Sequence, residues 1–293
     1  MNSLKIWITG ASGMLGQDLS RLAKEAHHTC LLTDLDVDIT DASAVSAFLA
    51  ANKPDRLVNC AAYTAVDKAE TETELNYHVN AMGPKNLGIC CAAAGVPMLH
   101  ISTDYVMSGC SPEPLLPESS YDPMNAYGQA KAQGEQFLHA TGAKFWVVRT
   151  AWLYGIHGKN FVKTMLRLMA EKESLNVVND QFGNPTWTED LARAILKILE
   201  TNDHFGYYHF SGDGIASWHD FASEIQRQGL ALGLLTKQVP VNGVTSDEFP
   251  TPAKRPAWSA LSKDKIKEVF GVAVPPWQDS LNAYLQLEKK SRA

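Results

Sequence analysis

Apolar positions in the first half of the chain fall into short unbroken runs, and each run is followed by a segment of helix length. Continuous apolar runs of four to eight residues suit strands buried on both faces, so the alternation predicts repeated βα units around a parallel sheet. Strands are expected over residues 4–9, 29–33, 56–60, 97–102 and 144–150, with helices over 14–26, 42–51, 77–94 and 125–140. Both faces of such a sheet are covered, which gives an α/β fold class, a doubly wound parallel sheet of Rossmann type.

After Arg149 the pattern loosens. Helices are expected near 160–172, 188–200, 218–228 and 277–289, and a short strand around 175–179. Residues 236–258 carry Pro240, Pro250, Pro252 and Pro256 with little periodicity and read as loop. The expected organisation is a dinucleotide-binding domain over residues 1–150 and a smaller, mainly substrate-binding α/β lobe over 151–293, some of whose segments can return to the first domain.

Composition narrows the classes. At 293 residues with 45% hydrophobic and 20% charged, the chain can bury a full core, and no window reaches 18 uninterrupted apolar residues. The first residues lack the basic and long apolar regions of a secretory signal, so a cytoplasmic, membrane-free protein is expected. A net charge of -6 without a Lys or Arg run argues against nucleic-acid partners. Cys30, Cys60, Cys90, Cys91 and Cys110 are odd in number and lack metal or redox spacing, which fits free thiols in a reducing compartment.

Candidate chemistry begins directly after the first strand, at Gly10-Ala11-Ser12-Gly13-Met14-Leu15-Gly16. Glycine lets the backbone turn sharply and approach a pyrophosphate, and the helix that follows offers unpaired N–H groups and a positive dipole end. Asp34 ends the second strand, where an acid accepts hydrogen bonds from an adenosine ribose and disfavours a 2′-phosphate; this points to NADH or dual use. Asp38 reads equally as a contact to the adenine edge or as a turn acid before the next helix. Tyr127 and Lys131 stand four residues apart, hence on one helical face, where an ammonium stabilises a phenolate and lowers the phenol's pKa. Ser102-Thr103-Asp104-Tyr105 closes an apolar strand, and a hydroxyl at the carboxyl end of a parallel strand can polarise a substrate carbonyl. Arg255 can pair with nucleotide phosphates as a planar fork, or equally brace its loop.

With these residues in hand the chain resembles the extended short-chain dehydrogenase/reductases, and among them the dTDP-4-dehydrorhamnose reductase family. The likeness is carried by the glycine loop, by Asn59-Cys60-Ala61-Ala62-Tyr63-Thr64-Ala65-Val66-Asp67-Lys68-Ala69-Glu70, by Asn80, by Ser102-Thr103-Asp104-Tyr105-Val106 and the Tyr127–Lys131 pair. Asp180-Gln181-Phe182-Gly183-Asn184-Pro185-Thr186 and Pro252-Ala253-Lys254-Arg255-Pro256 complete it. The resemblance implies an NADPH- or NADH-dependent reduction at C4 of a dTDP-linked keto-sugar, dTDP-4-dehydro-L-rhamnose, the last step in making that activated sugar for cell-surface polysaccharide such as lipopolysaccharide. Tyr127 would protonate the sugar O4, Lys131 would bind the nicotinamide ribose, and Thr103 would hold the carbonyl. Gly10, Ser12, Gly13, Met14, Leu15, Gly16, Asp34, Asp38, Ile39, Ala61, Ala62, Tyr63, Thr64 and Ile101 would line the cofactor, and Thr64, Asp104 and Trp152 would face the sugar.

Met107 departs from the aromatic residue common in that family after Tyr105-Val106. Some members form a homodimer around Mg²⁺, and the matching acids here are Asp18, Glu189 and Glu288, which read as readily as unrelated surface acids. Three rival readings remain open. They are a reductase giving the other C4 epimer or using another 6-deoxysugar, a 4,6-dehydratase or epimerase, and a non-catalytic subunit resembling the beta subunit of methionine adenosyltransferase.

Overall fold

A computed structural model describes residues 3–109 and 112–292; Cys110 lies outside them, and the other four cysteines are free thiols. Six parallel strands form the central sheet: β1 (Lys5–Thr9), β2 (Thr29–Thr33), β3 (Arg56–Asn59), β4 (Met98–Thr103), β5 (Phe145–Thr150) and, much later in the chain, β10 (Gly206–His209). Their spatial order is β10-β5-β4-β3-β1-β2. Because β1 is flanked by β2 on one side and β3 on the other, strand order reverses there, and a crevice opens beyond the carboxyl ends of β1 and β3.

Side chains alternate along each strand, so Ile6 and Ile8 enter one face of the sheet and Trp7 the other. On the first face they pack against α1 (Met14–Glu25), α8 (Thr188–Leu199) and α10 (Asp264–Phe270); on the second lie α2 (Ala42–Asn52), α5 (Gly83–Ala94) and α6 (Ala126–Ala140). Two short helices, α3 (Val66–Ala69) and α4 (Thr73–Tyr77), precede α5. Away from this sheet, α7 (Phe161–Glu171), α9 (Trp218–Ala231) and α11 (Trp277–Arg292) pack around a second apolar cluster that includes Tyr154, Phe221 and Tyr284. The remaining strands pair two by two: β6 (Leu153–Tyr154) with β9 (Thr186–Trp187), β7 (Leu175–Val178) with β12 (Val241–Val244), and β8 (Phe182–Gly183) with β11 (Ala216–Ser217).

Three differences from the sequence expectation have local causes. The helix expected over 77–94 is broken by a π-helical turn at His78–Met82, where the Gly83 N–H bonds the His78 carbonyl; Pro84, at the start of α5, has no N–H to donate to Asn80. Strand β12 occupies part of the segment read as loop and pairs with β7. Strand β10 returns from the second half of the chain to complete the main sheet beside β5.

Candidate functional site

Gly10 adopts a left-handed φ of 64°, and a Cβ there would lie 2.6 Å from the Ala61 amide nitrogen. A Cβ at Gly16 would meet the Gly10 carbonyl and stand 2.7 Å from the Ala11 Cα, so bare backbone lets α1 press against the turn. Gly13 is the N-cap of α1 and supplies no side-chain cap, which leaves the first N–H groups of that helix for another acceptor. This cradle fits a pyrophosphate. Asp34 reaches back to the loop and accepts the Ser12 N–H at 3.1 Å. Asp38 is exposed and accepts the Thr40 N–H at 2.8 Å, while Asp41 caps α2; of its two expected roles, the turn acid is the one displayed. Ile39 is buried in the cluster beneath α2 and α5.

Residues 61–64 run beside the glycine turn, with the Cys60 N–H bonded to the Thr9 carbonyl. Asn80, set in the π-helical turn, clasps Tyr63 on both sides: its Oδ1 accepts the Tyr63 N–H at 3.1 Å and its Nδ2 donates to the Tyr63 carbonyl at 2.8 Å. The Tyr63 hydroxyl donates to Glu72 at 2.6 Å, and Thr64 is exposed. A wide helical turn thus fixes the loop that follows β3.

Helix α6 opens at Asn125, whose side chain accepts the Gly128 N–H at 2.8 Å. Tyr127, Lys131 and Glu135 follow at four-residue spacing and share one buried face turned to β4 and β5. The Tyr127 phenol lies against the Thr103 hydroxyl at the carboxyl end of β4. Thr103 Oγ1 donates to Asp104 Oδ1 at 2.9 Å. Lys131 Nζ donates to the Ile101 carbonyl at 2.7 Å and stands 3.2 Å from His100 Nε2. The structure therefore brings Tyr127, Lys131, Ile101, Thr103 and Asp104 together at one strand end.

Electrostatics at that strand end correct one expectation. Burial, reinforced by the nearby Asp104 carboxyl and only partly offset by Thr103, pushes the Tyr127 phenol above its ordinary range, whereas the spacing to Lys131 predicted a depressed value. The ammonium is directed at Ile101 and His100, so desolvation dominates. A phenol held neutral is the form that can donate a proton. Burial also lowers Lys131 to about 8, against the opposing pull of Glu135 and Cys60. Asp104 is pushed up to about 6 by burial; Thr103 hydrogen-bonds one of its oxygens, and the Ser259 hydroxyl lies near it, yet Oδ2 has no partner in hydrogen-bond geometry.

Arg149 on β5 locks this face in place. Its guanidinium, buried with Glu135, forms a 2.7 Å ion pair with it and donates to the Pro117 carbonyl at 3.0 Å, while Tyr121 donates to Glu135 at 2.9 Å. Met107 lies buried against the same guanidinium, Arg149 Nη1 standing 3.4 Å from its Sδ. Trp152, just past β5, holds a φ of 47° and stacks on Trp218 with ring centroids 3.6 Å apart. A bulky residue at positive φ stores strain, and such strain collects at ligand sites. Arg255 braces its loop: it grips Asp67 at 3.0 and 3.1 Å, bonds Thr251, and donates to the Ala253 carbonyl at 3.1 Å.

Of the three acids matched to a metal site, Asp18 and Glu189 come together at Arg21, 3.9 and 2.6 Å from it. Among the described residues no three His, Cys, Asp or Glu side chains are grouped to hold an ion. Asp18 is bonded by Thr188 at 2.5 Å, Glu189 pairs with Arg21 and Arg193 at 2.6 Å each, and Glu288 lies 3.7 Å from Lys163. Within the chain Glu189 is held by two arginines, Arg21 and Arg193.

Sequence reasoning passed over Asn59, Asn80 and His100 as site residues. A polar residue at the end of an apolar strand, as in Asn59, and an ionisable one inside it, as in His100, were the available signals.

The family model described as RmlD substrate binding domain matches residues 4–289. The chain is 38% identical over 284 residues to a dTDP-4-dehydrorhamnose reductase of Aggregatibacter actinomycetemcomitans, covering 94% of this chain and 97% of that protein. Its structure superposes on that of a dTDP-4-dehydrorhamnose reductase of Clostridium acetobutylicum with a TM-score of 0.92 at 43% identity, covering 98% of this chain and all of the other. The Bacillus anthracis dTDP-4-dehydrorhamnose reductase, in complex with NADP, gives a TM-score of 0.91 at 36% identity over 97% of this chain and 99% of its own.

Proposed function

Since the chain belongs to the RmlD substrate binding domain family, that of the dTDP-4-dehydrorhamnose reductases, we propose that it reduces the C4 keto group of dTDP-4-dehydro-L-rhamnose to give dTDP-L-rhamnose. The observation that carries this reading is the meeting of Tyr127, Thr103 and Lys131 at the end of β4, on the crevice side of a glycine turn open to a pyrophosphate.

A reduced nicotinamide, when bound, supplies the hydride that reaches the sugar C4. Gly10, Gly13 and the first turn of α1 would cradle its pyrophosphate, Asp34 would accept its adenosine ribose, and Tyr63, fixed by Asn80, would form the wall beside it. Asp34 favours the unphosphorylated ribose, while a relative is known with NADP, and use of both NADPH and NADH accommodates the two. Thr103, its one hydroxyl proton turned from Asp104 to the ketone oxygen, draws charge onto that oxygen and exposes the carbon. Tyr127, neutral at physiological pH, then gives its proton to that oxygen, leaving a phenolate. Asp104 and Trp152 position the sugar ring. Among the described residues no helix is long and apolar enough to cross a membrane.

Oxidation of NADPH or NADH by purified protein, in the presence of the keto-sugar, tests the reading, with the product assigned by NMR. A rhamno product is expected. Absence of turnover with either cofactor, or a talo product, overturns it.

A further inference from the structure

The proton position on His100 can be read from its neighbours. Asn59 accepts the Ala61 backbone N–H at 3.1 Å and the Thr9 hydroxyl at 2.7 Å; a backbone N–H only donates, so that end of the Asn59 side chain is its oxygen. Its amide NH₂ then points to His100 Nδ1, 2.9 Å away. Nδ1 must accept, and the ring proton sits on Nε2. Nε2 faces Lys131 Nζ at 3.2 Å.

That contact tells two states of the lysine apart. An ammonium carries three N–H groups and no lone pair, so it opposes a donor with a donor across the gap. A neutral amine accepts the His100 N–H with its lone pair and still donates to the Ile101 carbonyl. His100 is fully buried and, beside Lys131, resists a second proton. The other ionisable groups acting on Lys131 are Cys60, beyond β3, and Glu135 on its own helix; Glu135 favours the ammonium but is neutralised by Arg149.

Resting on the reductase reading above, we propose that His100 is a positioning residue of the reduction: its ring, set by Asn59, turns an N–H to Lys131 and so makes the ammonium release a proton readily. The ammonium that gives up one proton to water is left as the amine. The amine's lone pair is held by His100 N–H until water reprotonates it. Burial alone already brings Lys131 to about 8, and the His100 contact acts in the same direction.

The experiment follows Lys131 itself in full-length protein labelled with ¹³C,¹⁵N-lysine, its signal assigned by loss in Lys131→Arg. In His100→Gln an amide oxygen can turn to the ammonium, and the Lys131 titration midpoint is expected to rise by about one pH unit. The alkaline limb of kcat/KM, where the ammonium is lost, should move up with it. A midpoint equal to wild type overturns the proposal, as does a shifted lysine with an unshifted limb. Should His100→Gln fail to fold, the ¹⁵N-histidine spectrum of the wild type decides: a proton on Nε2 is expected, and one on Nδ1 overturns it. Failure of the reductase reading shows separately, as absent wild-type turnover, while the lysine titration still reports on His100.

Discussion

Asp104 makes a quantitative forecast about stability. Its carboxyl is 3% exposed, and burial raises it from 3.8 to about 6. Between those values the native protein keeps a proton that the unfolded chain has released, so native stability declines as pH rises through that window. At roughly 1.4 kcal/mol per unit the gap is worth about 3 kcal/mol, fully lost by pH 7. Asp104→Asn keeps an oxygen to accept the Thr103 hydroxyl and never ionises. Any constant cost of the amide is the same at every pH, so the difference in unfolding free energy, variant minus wild type, should climb by about 2–3 kcal/mol from pH 4 to pH 7. Urea unfolding of both proteins at half-unit pH steps measures it. A flat difference, or one that falls with pH, would refute the reasoning that burial governs this carboxyl.

Three further outcomes follow from the geometry. Tyr127→Phe should lower kcat by about a hundredfold or more while NADPH affinity, followed by fluorescence titration, stays that of the wild type, because the glycine cradle is untouched. Gly16→Ala, whose Cβ would stand 2.7 Å from the Ala11 Cα, should abolish NADPH binding in the same titration and cost about 1–3 kcal/mol in urea unfolding. Arg149→Met leaves Glu135 buried without its cation and should cost about 3–5 kcal/mol in unfolding experiments at pH 7.

The parallel sheet was legible because strands buried on both faces leave unbroken apolar runs, as in β1 and β5, where nearly every residue is buried. Strand β10, Gly-Tyr-Tyr-His, is four residues long and pairs only at the sheet edge, so its sequence carries little of that signal. Likewise Tyr127 and Lys131 announce themselves because their relation is local, four residues on one helix. Asn59 and His100 meet across 41 residues and Asn80 and Tyr63 across 17, and nothing in a linear reading marks such partners. The phenol's pKa was misjudged for a related reason: spacing reports that a cation is near but not where its protons are aimed, and here they are aimed at β4.

The shared face of Tyr127, Lys131 and Glu135 constrains how this gene segment can change length. Each residue turns an α-helix by about 100°, so losing or gaining one position between Tyr127 and Glu135 would swing the phenol away from Thr103, or uncouple Glu135 from Arg149. Indels in this region should therefore be confined to the turn after Ala140, where Gly142 is surrounded by open space and a longer or shorter connection into β5 leaves the spacing of the three intact.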